Sequence, residues 1–157
     1  MFDVTFLKWL HIISATVLFG TGLGTAFHGL MAHVRGDLRA IVAGDKNVVL
    51  ADWIFTTPAV IIQPATGVAL ALEEGWALTT PWILASIALY IFVGFCWLPV
   101  VWLQLRMARI AAHCLETGAP LPPDYHRYFR WWFALGWPAF IAMLVIFWLM
   151  VAKPDFI

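Results

Sequence analysis

An all-α fold, a four-helix transmembrane bundle, is predicted by three features of this chain. Four stretches, 9–34, 53–72, 75–105 and 131–152, contain no Asp, Glu, Lys or Arg. A helix needs roughly 20 apolar residues to cross a ~30 Å hydrocarbon core, and each stretch is long enough. Mean hydropathy is +0.88 and 63% of residues are apolar, against about 45–50% in soluble domains. The basic residues are also sided. Of 9 Lys and Arg, Arg35, Arg39, Lys46, Arg106, Arg109, Arg127 and Arg130 flank the first and third connections, leaving Lys8 and Lys153 at the other end with Glu73, Glu74 and Asp155. Excess Lys and Arg mark the cytoplasmic face. Both termini are therefore expected on the outer side of a bacterial inner membrane, with 34–52 and 106–130 inside.

The 157 residues form one transmembrane domain, and the lipid bilayer is its first partner. A net charge of zero gives no basic footprint for nucleic acid. The first apolar run is too long for a signal-peptide core, so it is expected to remain as span one. Cys96 and Cys114 are about 27 Å apart along one helix, which predicts two free thiols.

Span one is predicted over 4–31. Span two covers 52–72, with Asp52 placed to cap its start. Pro58 and Pro64 within it free backbone carbonyls that neighbouring helices or Thr side chains must satisfy. Span three covers 81–107, with Pro81 in the first turn and a kink at Pro99. The turn-rich segment 118–123 precedes span four, 128–151, which bends near Pro138. Trp76, Trp82 and Trp148 at one end and Trp53, Trp102, Trp131 and Trp132 at the other make an aromatic belt.

Function must be read from the polar groups inside these spans. At 100° per residue, His11, Ser14, Leu18, Gly22, Thr25 and Gly29 share one face of span one. Four of His11's five companions are small or hydroxylated, as on a helix face turned toward other helices. His11 is thus expected to point inward. A neutral imidazole there is either a haem ligand or a structural group bonded to a proline-freed carbonyl. Gly20 and Gly24 form a GxxxG on the opposite face, suited to a close contact within the bundle or across a homodimer.

Thr56, Gln63 and Thr66 share a face of span two. Gln63 would bridge to the polar stripe of span one, or face a cofactor edge or a quinone carbonyl. Span three presents Ser86, Tyr90, Gly94, Trp97 and Gln104 on one face. His28, His33, His113 and His126 lie toward the basic end without metal-motif spacing. With Arg130 and its basic neighbours they would make an anion or haem-propionate patch, or a metal site. His28 is the one expected to face the protein, about 25 Å from His11. No nucleophile triad, phosphate loop or paired-carboxylate site is present. No acidic residue lies at mid-span, as an ordinary proton-coupled transporter would require.

The segments LKWLHIISATVLFGTGLGTAF, TTPAVIIQPATGVALA, CWLPVVWLQLRM and PPDYHRYFRWWFALGWPAF resemble the DUF2269 family of predicted bacterial integral membrane proteins, end to end. The LH of span one and the TPA…TG of span two are more distantly similar to HemJ-type protoporphyrinogen oxidases and CopD-type copper-associated membrane proteins. The HemJ likeness implies haem b on His11. The Lys that accompanies this His in that family has no counterpart, since Pro81, Trp82 and Ile83 stand there. A second axial ligand would then be His11 of another copy, Met143 or Met150.

Three functions follow. The first is a small cytochrome-like oxidoreductase with haem b on His11 and, as a second iron or metal level, His28. It would pass electrons with a quinone or porphyrin partner and be tuned by Gln63 or Tyr90. The second is a non-redox scaffold or accessory subunit. The third is copper handling, for which the outer face lacks the Met- or His-rich ligands that Cu(I) prefers.

Overall fold

The computed structural model describes residues 3–154; Asp155, counted above with the outer charges, lies outside them. Helix α1 is Val4–Arg35, α2 is Leu38–Ala51, α3 is Thr57–Glu73, α4 is Pro81–Thr117 and α5 is Pro123–Ala152. Among the described residues there is no strand, and four helical units are long and apolar enough to cross a membrane: α1, the continuous run Leu38–Glu73, α4 and α5. Large apolar side chains cover the outside, with Phe95 72% and Val151 86% exposed. A bundle whose surface is this apolar is built to be solvated by lipid rather than water.

The helix ends follow local chemistry. The Asp3 carboxylate accepts from the Thr5 backbone N–H at the start of α1. Gly36 closes α1 with φ at 70°, a left-handed conformation that glycine adopts at little cost. Asp37 then caps α2 by accepting from the Arg39 and Ala40 N–H groups.

The connection expected over 34–52 is therefore mostly helix. It also runs without a break into α3, so Asp52 is not a helix cap. Residues Asp52–Thr56 form a π-turn between α2 and α3. Its position has a steric reason. In an unbroken α-helix the Pro58 ring would collide with the carbonyl of Ile54, four residues back. The wider turn relieves that, and the Thr57 N–H and hydroxyl both reach the Asp52 carbonyl instead.

Helix α4 extends ten residues past the expected 107 and α5 starts five residues before the expected 128. At 37 residues, α4 is about 55 Å long, well beyond a ~30 Å hydrocarbon core. The excess is packed at the basic end. Ile41, Val42 and Val48 of α2 bury against Leu103, Met107 and Ala111 of α4 and Tyr125 and Trp132 of α5. Tyr125 is 1% exposed, and its hydroxyl donates to the Asp45 carboxyl at 3.0 Å. Cys114 is buried and free there, not in a loop; Cys96 is also buried and free.

Close backbone approaches pair α4 with α5 and α1 with α3, while α2 packs on α4 and α1; α3 and α4 have no comparable approach. At the other end, Glu74 lies 2.6 Å from Lys8 and 3.9 Å from Lys153. Lys153 also sits over the Trp76 and Trp82 rings. The two chain ends and the α3–α4 turn thus gather at one end, opposite the basic residues.

Candidate functional site

His11 and Ser14 sit three residues apart on α1, and Gln63 and Thr66 three apart on α3. A spacing of three places side chains on one helix face, so two facing pairs meet where α1 packs on α3. Gly67 permits the closeness. A Cβ there would stand 3.0 Å from Cε1 of His11.

The hydrogen bonds of the cluster fit a ring protonated on Nδ1. The Thr66 hydroxyl directs its proton to the Ile62 carbonyl, at 2.8 Å. With its proton so placed, it accepts from His11 Nδ1–H, 2.9 Å away. His11 Nε2 is consequently an acceptor and takes an N–H from the Gln63 amide at 3.1 Å. That orients the amide so that Gln63 Oε1 accepts from the Ser14 hydroxyl. The Ser14 hydroxyl also lies 3.0 Å from the His11 carbonyl. Both ring nitrogens have a partner, an arrangement that suits a neutral imidazole. The result is a polar clasp between two helices, in a setting where unmatched polar groups are costly.

The predicted inward stripe holds at its core. Ser14, Leu18 and Gly29 are buried and His11 and Thr25 are half-buried, whereas Gly22 is exposed. Gly20 and Gly24 are exposed, and a Cβ on either would meet nothing within 4 Å. They therefore make no close contact inside the bundle and leave an open face.

Tyr90 does not join His11. Its hydroxyl donates to the Val60 carbonyl at 2.8 Å, the carbonyl that Pro64 deprives of its helical N–H. His28 is exposed and lies over Gly44 of α2, about 25 Å along α1 from His11 by the helical rise. Arg130 is exposed at the basic end. His33 stacks on Phe129 at 3.9 Å between centroids and meets His126 edge-on. Among the described residues no three His, Cys, Asp or Glu side chains come together as a metal site. The five residues proposed for a cofactor, His11, His28, Gln63, Tyr90 and Arg130, thus occupy several separate places, with only His11 and Gln63 in contact.

One group went unrecognised in the sequence. Asp52 is 7% exposed, at the α2 end of the π-turn. It accepts from the Thr56 hydroxyl at 2.8 Å. The available signal was Pro58 six residues on, whose ring excludes a regular α-helix running on through the preceding turn.

Four apolar helical units with buried polar clasps and a lipid-facing surface define a multi-pass integral membrane protein. The chain belongs to the DUF2269 family, described as predicted integral membrane proteins, whose profile matches residues 5–154. No curated protein and no solved structure matches it significantly, so the likeness to HemJ- and CopD-type proteins gains no support from these comparisons.

Proposed function

We propose that this chain is a non-redox accessory or scaffold protein of the bacterial inner membrane, with both termini outside, in which His11 fastens α1 to α3. The observation that supports this is the engagement of both imidazole nitrogens, by Thr66 Oγ1 and Gln63 Nε2. Iron needs the lone pair that Nε2 gives to Gln63. The distant likeness of the LH and TPA…TG segments suggests haem b; the hydrogen bonds favour the scaffold.

The rival reading keeps haem b on His11, with a quinone or porphyrin partner. It requires Gln63 to swing away from the ring, and the residues as arranged do not fit the group. The test is the reduced-minus-oxidised visible spectrum of protein expressed with haem in excess and purified in detergent. The scaffold reading expects no Soret band. A stoichiometric band that disappears in His11→Ala while the helices persist would overturn it. The sidedness is supported by the seven-to-two split of basic residues and is tested by labelling single cysteines near Gly118 and Lys153 with an impermeant reagent.

A further inference from the structure

A second site lies apart from His11, where the chain enters α3. It is a cavity of about 330 Å³ that opens between the α2–α3 π-turn and α4. Asp52, Trp53 and Thr57 line it on one side, and Trp97, Trp102 and Gln104 on the other. Cavities that hold small ligands begin at about 300 Å³. Because α3 and α4 lack a close backbone approach, the gap between them is spanned by side chains. Its rim, Trp53, Leu98 and Trp102, is exposed and faces lipid.

The cavity has an acidic floor with unmet hydrogen-bonding capacity. Asp52 is 7% and Gln104 5% exposed. Trp97 and Gln104 face the Asp52 carboxyl, and Asp52 Oδ2, Gln104 Oε1 and the Trp97 indole N–H all lack an aligned partner. The acceptors outnumber the donor, and a carboxylate pairs most strongly with a donor that carries positive charge. The walls are indoles, whose faces attract cations. Trp102 already does so at the rim, with the Arg106 guanidinium 5.4 Å from its ring. Depth is informative as well. Gln104 stands two residues before Arg106, and Asp52 just before the apolar stretch, so the acidic floor lies at the membrane interface. A head bound there would send its tail along α3 and α4 into the hydrocarbon. A buried carboxyl at the membrane edge with an incomplete partner set is a functional candidate, and π-turns concentrate at such places.

We infer that this cleft is a binding site for an amphiphilic organic cation, a primary alkylammonium entering sideways from the lipid with its head on Asp52. The probe is octylammonium, titrated calorimetrically into the full-length protein in an uncharged detergent at neutral pH. Saturable 1:1 binding is expected, displaced by a second alkylammonium and not by octanol. Asp52→Asn keeps the acceptor for the Thr56 hydroxyl and the side-chain shape. It should weaken binding at least tenfold with unchanged helicity. Arg106→Gln, which removes a competing cation, should leave binding intact or tighten it. The inference is overturned if wild-type protein shows no saturable binding, if octanol competes equally, if a folded Asp52→Asn variant binds as wild type, or if Arg106→Gln abolishes binding. The displacement measurements on wild type decide the matter even if Asp52→Asn does not fold.

Discussion

The Tyr90 hydroxyl of α4 donates to the Val60 carbonyl of α3 at 2.8 Å, which is the acceptor left open because Pro64 has no N–H to return to it. A proline in one membrane helix is thereby matched by a phenol on another, across the seam where α3 and α4 lack a close backbone approach.

This pairing predicts a specific coupling. Tyr90→Phe should destabilise the protein by about 0.5–2 kcal/mol, the range for a lost polar contact between membrane helices. Pro64→Ala restores the helical N–H to Val60. In that background Tyr90→Phe should cost much less. Equal costs in both backgrounds, measured by unfolding in mixed micelles, would show that the phenol acts through packing alone.

Gly67 sets the distance at which His11 meets α3. Gly67→Ala would place a Cβ 3.0 Å from His11 Cε1, tighter than ordinary contacts. The ring must then shift and strain its bonds to Thr66 and Gln63. A loss of about 1–3 kcal/mol is expected, as for other overpacked sites. Adding His11→Ala should largely relieve the penalty of Gly67→Ala, since the clash is with that ring. Thermal midpoints of the two single variants and the double variant check this.

Gly24 tests the open face of α1. With no atom within 4 Å of a Cβ at Gly20 or Gly24, Gly24→Leu should leave the folded monomer intact. If a second copy packs on this face, the same change should shift the detergent-solubilised particle toward monomer. Light scattering of wild type and variant separates the cases; a dimer that survives the substitution unchanged rejects this face as its contact.

The outer clasp should be acid-sensitive. The Lys8 ammonium beside Glu74 holds that carboxyl below its usual value of 4.5. A carboxyl with a depressed folded-state pKa stabilises the fold above the unfolded value, and that contribution fades as pH falls through the lowered one. Thermal midpoints should therefore drop below about pH 4.5. In Glu74→Gln the drop should be shallower, and the midpoint near neutrality modestly lower, because the pair is partly exposed.

Much of the site was legible in the sequence because helix periodicity acts locally. A spacing of three puts His11 with Ser14 and Gln63 with Thr66 whatever surrounds them, and the polar stripe of span one pointed at a partner helix. Gln63 as the bridge to that stripe is what the structure shows. That the carbonyls freed by Pro58 and Pro64 need outside donors was equally plain. Which donor arrives was not: the Val60 carbonyl, freed by Pro64, takes the Tyr90 hydroxyl from 30 residues away.

The sequence by itself determined the four apolar crossings, the segregation of basic residues and the facing of the polar stripe, because each depends on side-chain character summed along one helix. Tertiary structure alone decided three things. It made 38–51 a helix packed on α4 and α5, where Ile41, Val42 and Val48 find a core that no local pattern announces. It turned Asp52 from a helix cap into a buried carboxyl on a cavity, because the chain passes Pro58 through a π-turn instead of starting a new helix. It also engaged both His11 nitrogens, since whether an inward imidazole keeps a free lone pair depends on which groups the neighbouring helix brings within about 3 Å of it.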